Sequence, residues 1–277
     1  MAPVMRSVLP HSPADLGNVK TALDEQSTAA PRRILAGWAA FSIDIETNPA
    51  DGDRIFKIGA VRSDSDAVVR RVDDVARGSK LLVGHNLRRH DLPQLRRQYP
   101  TLGLLNLPIL DTLELSAIAF PANPYHRLVK GYKLLSDSRN DPVKDARLAL
   151  DLLGDEVDAL VEMHHTDPDW LSLLHFLLRD ESPLDGLLKT VRGNSAPDGA
   201  YAIAVAVNRF GDICCGTRLS RFAETDVKAS ADHRMALAYA LGWIRVSGGS
   251  SVLPMWVHSA IPEVRTLIGE LREHACG

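Results

Sequence analysis

Phe41-Ser-Ile-Asp-Ile-Glu-Thr47 constrains the fold more than any other stretch of this chain. Its apolar side chains suit a buried strand, yet it carries two carboxylates, Asp44 and Glu46, two residues apart. Side chains at i and i+2 of a strand share a face. Two like charges on one face of a buried strand are costly unless something relieves them. A hard divalent cation taking carboxylate oxygens is the common remedy. The plainer alternative is a strand end at which both acids reach water.

The surrounding pattern predicts an α/β sheet that opens with antiparallel strands. Residues 1–33 hold scattered Pro, Ser, Asp and Lys with little periodicity and read as a flexible arm, with a short helix around Ala14–Glu25. Trp38–Ile45 is the first strand, Asn48-Pro-Ala-Asp-Gly-Asp53 a turn, and Arg54–Arg62 the returning strand of a hairpin. Ala67–Arg77 reads as helical, Lys80–Gly84 as a central strand, Leu87–Tyr99 as a helix and Leu104–Leu110 as a further strand. Asp111 before Thr112 looks like another N-cap, Asp111–Ser116 starts another helix, and Phe120–Tyr132 is a Pro- and aromatic-bearing loop. Asp141 is a good N-cap with Pro142 at the first helical position, and a long helix runs from there to about His164.

Beyond residue 165 the spacing predicts helices at Trp170–Arg179, Pro183–Val191, Ala231–Leu241 and Pro262–His274. It also predicts hairpins at Tyr201–Thr217, turning at Gly211, and around Gly248–Ser251. The domain reading is an arm over 1–33, a main domain over 34–195 and a smaller α+β accessory region of unknown role over 196–277.

Four acids stand at places where they can converge above such a sheet. Asp44 and Glu46 lie on the first strand. Asp91 lies one turn beyond Gly84-His-Asn86, and Asp145 about one turn into the long helix. Singly, Asp91 and Asp145 have a plain explanation as first-turn acids favoured by the helix dipole. Together the four can clamp two metal ions ~3.5–4 Å apart, the arrangement suited to in-line phosphodiester hydrolysis.

Asp44-x-Glu46, Gly84-His-Asn86 with Asp91, and Asp145-Ala146, in this order, resemble the three motifs of the DEDD (DnaQ-like) 3′–5′ exonuclease superfamily. The resemblance covers about residues 36–162 and implies an RNase H-like mixed sheet flanked by helices. It implies Asp44, Glu46, Asp91 and Asp145 as ligands of two Mg²⁺ or Mn²⁺ ions, with Thr47 and Asn86 lining the terminal-nucleotide pocket. The implied partner is DNA or RNA with a free 3′ end, single-stranded. Asn123–Lys133 with Asn140–Asp145 further resembles exonuclease modules fused ahead of bacterial helicases, which implies a helicase or another DNA-processing partner.

One departure bears on activity. The family carries its proton acceptor as a His five residues, or a Tyr four residues, before the last Asp. Those positions hold Asn140 and Asp141. Asn cannot take a proton at neutral pH, and Asp141 already suits an N-cap. His126 in the preceding loop is the alternative acceptor. The expected activity is therefore weak, Mn²⁺-dependent or lost, and a nuclease fold that binds nucleic acid or protein without cleaving is the second reading. A four-carboxylate site for another phosphoester is the third.

Lys130 and Lys133 are the cations best placed in sequence to meet phosphates. Arg88, Arg89, Lys144 and Arg147 are equally explained as solvated helix surface. Tyr125 and Tyr132 are either stacking residues or parts of a packed lid. A formal charge of −3 and a pI of about 6.4 exclude a global basic field but not a local groove. Three cysteines, Cys214, Cys215 and Cys276, form no disulfide framework or complete zinc pattern, and Cys214-Cys215 is expected in a core strand. No apolar run approaches the ~18 residues of a membrane span. A cytoplasmic location is expected.

Overall fold

The computed structural model describes residues 38–64, 77–123, 141–225, 230–246 and 253–272. β1 (Ala40–Asn48) and β2 (Arg54–Arg62) form the expected antiparallel hairpin. Asn48 caps the intervening turn, and Gly52 and Asp53 take positive φ of 59° and 57° there. β3 (Leu81–Gly84) and β4 (Ile109–Asp111) follow, and the sheet order is β2-β1-β3-β4, parallel from β1 to β4. The expected strand over Leu104–Leu110 shrinks to β4, because Gly103–Asn106 closes into a 3₁₀ turn.

The period of two sorts β1 into two faces. Phe41, Ile43 and Ile45 pack with Leu82, Leu87, Leu92, Leu95 and Leu104. Leu87–Asp91 forms a wide π turn that leads into α1 (Leu92–Gln98). The other face, with Ala40, Ser42, Asp44 and Glu46, lies towards the long helix. α2 (Thr112–Ala119) is capped by Asp111, whose carboxylate accepts from the Leu113 N–H. α3 (Pro142–Thr166) starts as expected, with Asp141 accepting from the Val143 N–H at 3.2 Å and Pro142 in the first turn.

α3 lays Ala146, Ala149, Leu153, Val157 and Leu160 against the sheet, all at most 1% exposed. Burying each of the larger side chains contributes about 1.5–3 kcal/mol. The same apolar cluster continues through α4 (Pro168–Leu178), α5 (Leu184–Arg192) and later helices as far as Leu271. These later helices are α6 (Gly199–Phe210), α7 (Gly216–Thr225), α8 (Ala231–Trp243), α9 (Met255–Ala260) and α10 (Glu263–Arg272).

The hairpin expected over Tyr201–Thr217 is absent; α6 and α7 stand there. Tyr201–Val207 alternates β-formers with alanine, but Ala202, Val205, Ala206 and Phe210 also recur at helical spacing and are the buried set. Asp198 caps α6 by accepting from the Tyr201 N–H at 2.8 Å. Among the described residues, 196–277 is therefore helical rather than α+β. Most of the second expected hairpin, around Gly248–Ser251, and the expected helices around Ala14–Glu25 and Ala67–Arg77 lie outside the described residues, save Arg77. Cys214 and Cys215 sit in the turn between α6 and α7, not in a strand. Cys214 is a free buried thiol, its pKa pushed up to about 11 by burial, whereas Cys215 is disulfide-bonded. No helix among the described residues is long and apolar enough to cross a membrane.

One acid in this core is far from the strand carboxylates. Glu156 on α3 is fully buried, and its Oε1 lies 2.5 Å from the donating Ser116 hydroxyl of α2. Burial pushes its pKa well above the usual carboxylate range, against the smaller opposing effect of the Ser116 hydrogen bond. Folding thus favours the neutral acid, so its contribution is greatest below the unfolded pKa of about 4.3 and is lost as pH rises through the folded value. Glu156→Gln should keep the fold and lose less stability than the native chain between about pH 5 and pH 8. Thermal melts across that range check it; equal losses in both proteins would refute a buried neutral Glu156.

Candidate functional site

Oxygens of Asp44, Glu46 and Asp145 all lie within 4.8 Å of one another. β1 supplies the first two from one face, and the first turn of α3 supplies the third. Asp44 and Glu46 are half-buried, and Asp145 is 8% exposed. At such separations each pair of ionised carboxylates repels by about 3–4 kcal/mol at an effective dielectric near 20. A bound cation or a proton relieves that repulsion. An all-oxygen donor set fits Mg²⁺ or Mn²⁺ better than the softer transition metals.

Gly59 brings the two elements together. It pairs with Asp44 across the hairpin. A Cβ on it would fall 2.0 Å from the Pro142 carbonyl carbon and 2.1 Å from the Val143 nitrogen. The backbone of α3's first turn therefore rests directly on β2, in contact no side chain would permit. Asp145, three residues on, is thereby set beside Asp44. A glycine inside an alternating strand is the sequence signal for such an approach, and it was legible in Arg54–Arg62.

Asp91 is not one of the three clustered acids. It is 2% exposed, accepts from the Ile45 N–H, and lies 3.2 Å from His90 Nδ1. The parallel pairing of β1 with β3 ends at Ser42–Val83, and Asp91 serves the strand edge beyond it. It thus sits beside the backbone separating Asp44 from Glu46. Burial raises its pKa, opposed by the His90 contact. The same contact, aided by the fields of Asp91, Asp44 and Asp53, raises that of His90.

The turn carrying Asp91 is held from β4. Asp111 Oδ1 accepts from the Asn86 N–H at 2.8 Å and Oδ2 from the Arg88 N–H at 2.9 Å. Asn86 itself has φ of 63°, a conformation asparagine tolerates better than most residues. Thr112 Oγ1 lies 3.0 Å from His85 Nδ1 and donates to the Gly84 carbonyl at 3.3 Å. Asp111 is 3% exposed, and burial pushes its pKa up to about 6 despite three N–H donors. Sequence reasoning assigned it only the helix cap; its hold on the Asn86 turn is a tertiary contact with no local signature.

Thr47 lies at the irregular end of β1, where the pairing register shifts. Asp141 is the α3 cap, with Lys144 Nζ 4.0 Å away. Asn140, His126, Lys130 and Lys133 lie outside the described residues, as do Tyr125 and Tyr132. Arg88 and Arg89 are engaged by Glu114 at 3.2 and 2.8 Å, and Arg89 also stands over Trp256, so both behave as structural cations. A cavity of about 410 Å³ lies by Lys80 and Leu81, at the start of β3, with Trp38, Arg179 and Asp185 in its wall. None of the clustered acids lines it.

Gly59→Ala should force α3's first turn off the sheet, cost roughly 1–3 kcal/mol of stability, and weaken Mn²⁺ binding. Thermal melts and Mn²⁺ calorimetry test this together; native metal affinity in the variant would dissociate Gly59 from the site. Searches against family models, curated proteins and solved structures give no match for this chain.

Proposed function

We propose that this protein is a metal-dependent 3′–5′ exonuclease of the DEDD type, hydrolysing terminal phosphodiesters of DNA or RNA. The observation that carries the reading is the convergence of Asp44, Glu46 and Asp145 oxygens within 4.8 Å from two separate elements. The resemblance named those three residues from sequence alone. Support for an RNase H-like fold comes from the strand order, with an antiparallel hairpin at one edge and parallel pairing through the rest.

Asp44, Glu46 and Asp145 would hold a divalent cation, and Asp91 is the fourth carboxylate that a second ion requires. Bound there, the cations would neutralise phosphate charge and make water more acidic. The chain's own residues do the rest. Asp111 holds the Asn86 turn in place beside the strand end that bears Thr47, where the terminal nucleotide is proposed to lie. In the reaction a water oxygen bonds to the terminal phosphorus and the P–O3′ bond breaks, releasing a nucleoside monophosphate and a new 3′ hydroxyl. Lys130 and Lys133 are proposed to face the phosphates.

A specific observation favours a second reading, a nuclease fold that binds without cleaving. Of the proton acceptors read from the sequence, Asp141 alone lies among the described residues, and its carboxylate caps α3. Calorimetric Mn²⁺ binding with no turnover of single strands, duplex or RNA would select that reading.

Asp44→Ala or Asp145→Ala should abolish Mn²⁺-dependent trimming of a 3′-labelled oligonucleotide. Asp145→Asn should do the same with α3 intact. Unchanged trimming in any of the three would sink the site assignment.

A further inference from the structure

The hairpin carries an extra residue beside the acids. Glu46 pairs with Lys57 and the next residue, Thr47, pairs with Ile55, which leaves Phe56 as the inserted residue of a β-bulge. Ile55 and Ile58 both pack with the cluster of Ile43 and Ile45. Two residues, rather than one, thus separate consecutive inward side chains. Phe56 and Lys57 both turn to the opposite face, the one bearing Asp44 and Glu46.

α3 does not cover them, because its first turn rests further along β2, on Gly59. Phe56 is 63% exposed, and the Arg54 side chain 77%. A lone exposed Phe is ordinary. This one differs in being re-aimed by a bulge, between two cations, one strand spacing from Glu46. A cation–aromatic–cation stripe is the surface that binds single-stranded nucleic acid, with bases stacking on the ring and phosphates tracking the charges.

We propose that Phe56 is the stacking platform for the 3′-terminal base of a single-stranded substrate, with Lys57 and Arg54 along its phosphates. The proposal rests on the exonuclease reading for the position of the 3′ end. A phenyl ring offers every base the same apolar face, so recognition there is indifferent to base identity and requires an unpaired end.

The test is fluorescence anisotropy with a 5′-fluorescein oligonucleotide, Ca²⁺ replacing Mn²⁺, on the native chain, Phe56→Ala and Phe56→Trp. Phe56→Ala should weaken binding about 5- to 100-fold, the range of one base–aromatic stack, and Phe56→Trp should retain it. On the same oligonucleotide ending in an abasic nucleotide, native chain and Phe56→Ala should bind alike. Equal affinity of the two for the intact strand overturns the proposal. So does an equal loss on intact and abasic strands, which would mark a structural role. Trimming by the native chain in Mn²⁺ is scored separately: its absence with the Phe56 effect intact removes the catalytic reading alone, and its presence without that effect removes the platform alone.

Discussion

The backbone contact between Gly59 and the first turn of α3 is the constraint on which the rest of the site depends. A helix normally stands off a sheet by the length of its side chains. At Gly59 the separation collapses, with Pro142 and Val143 backbone atoms occupying the place of a Cβ. This lets an aspartate, Asp145, whose side chain is short, meet Asp44 and Glu46 projecting from β1. The two ends of α3's first turn are therefore doing different work: Pro142 and Val143 set the height of the helix, and Asp145 uses it. Further along, Leu153, Val157 and Leu160 restore ordinary apolar packing and fix the helix against sliding.

A second level of organisation lies in acids that belong to no metal cluster. Asp111 links β4, the cap of α2 and the Asn86 turn through one carboxylate with three backbone donors. Those donors favour its charge while burial opposes it, and burial prevails enough to lift its pKa to about 6. Glu114, three residues on in α2, ties down Arg88 and Arg89, and its carbonyl accepts from the Tyr239 hydroxyl of α8 at 2.9 Å. The turn that carries Asp91 is thus anchored to both the sheet and the C-terminal helices. Such anchoring keeps Asp91 at the Ile45 N–H.

Much of this was legible in the sequence, and the exceptions share a cause. The hairpin, the central strand, the caps Asp111 and Asp141, and the pairing of Asp44 with Glu46 on one face are all consequences of local period or local hydrogen bonding. The misread segment, Tyr201–Thr217, satisfies a strand period and a helix period at once. There the alanines and the Asp198 cap decide for helix, together with burial that only the folded chain supplies. Gly59 was visible as a glycine in a strand, but which backbone approaches it is long-range information. The same holds for the bulge at Phe56. Alternation in Arg-Ile-Phe-Lys-Ile is broken by one residue, and the strand partner determines where the extra residue falls.

The placement of Asp141 narrows the chemistry that remains open to the site. As the cap it accepts from Val143, whose nitrogen is one of the atoms pressed against Gly59. Turning that oxygen, Oδ1, to water would release an N–H beside the Gly59 contact, so only Oδ2, 4.0 Å from Lys144 Nζ, stands outside the cap. On the proposed exonuclease reading, a carboxylate with one oxygen held in a cap is a constrained general base. On that reading, proton removal would draw on a group outside α3's first turn or on solvent, aided by the acidity that divalent cations would confer. The same contact that assembles Asp44, Glu46 and Asp145 thereby constrains Asp141, four residues before Asp145.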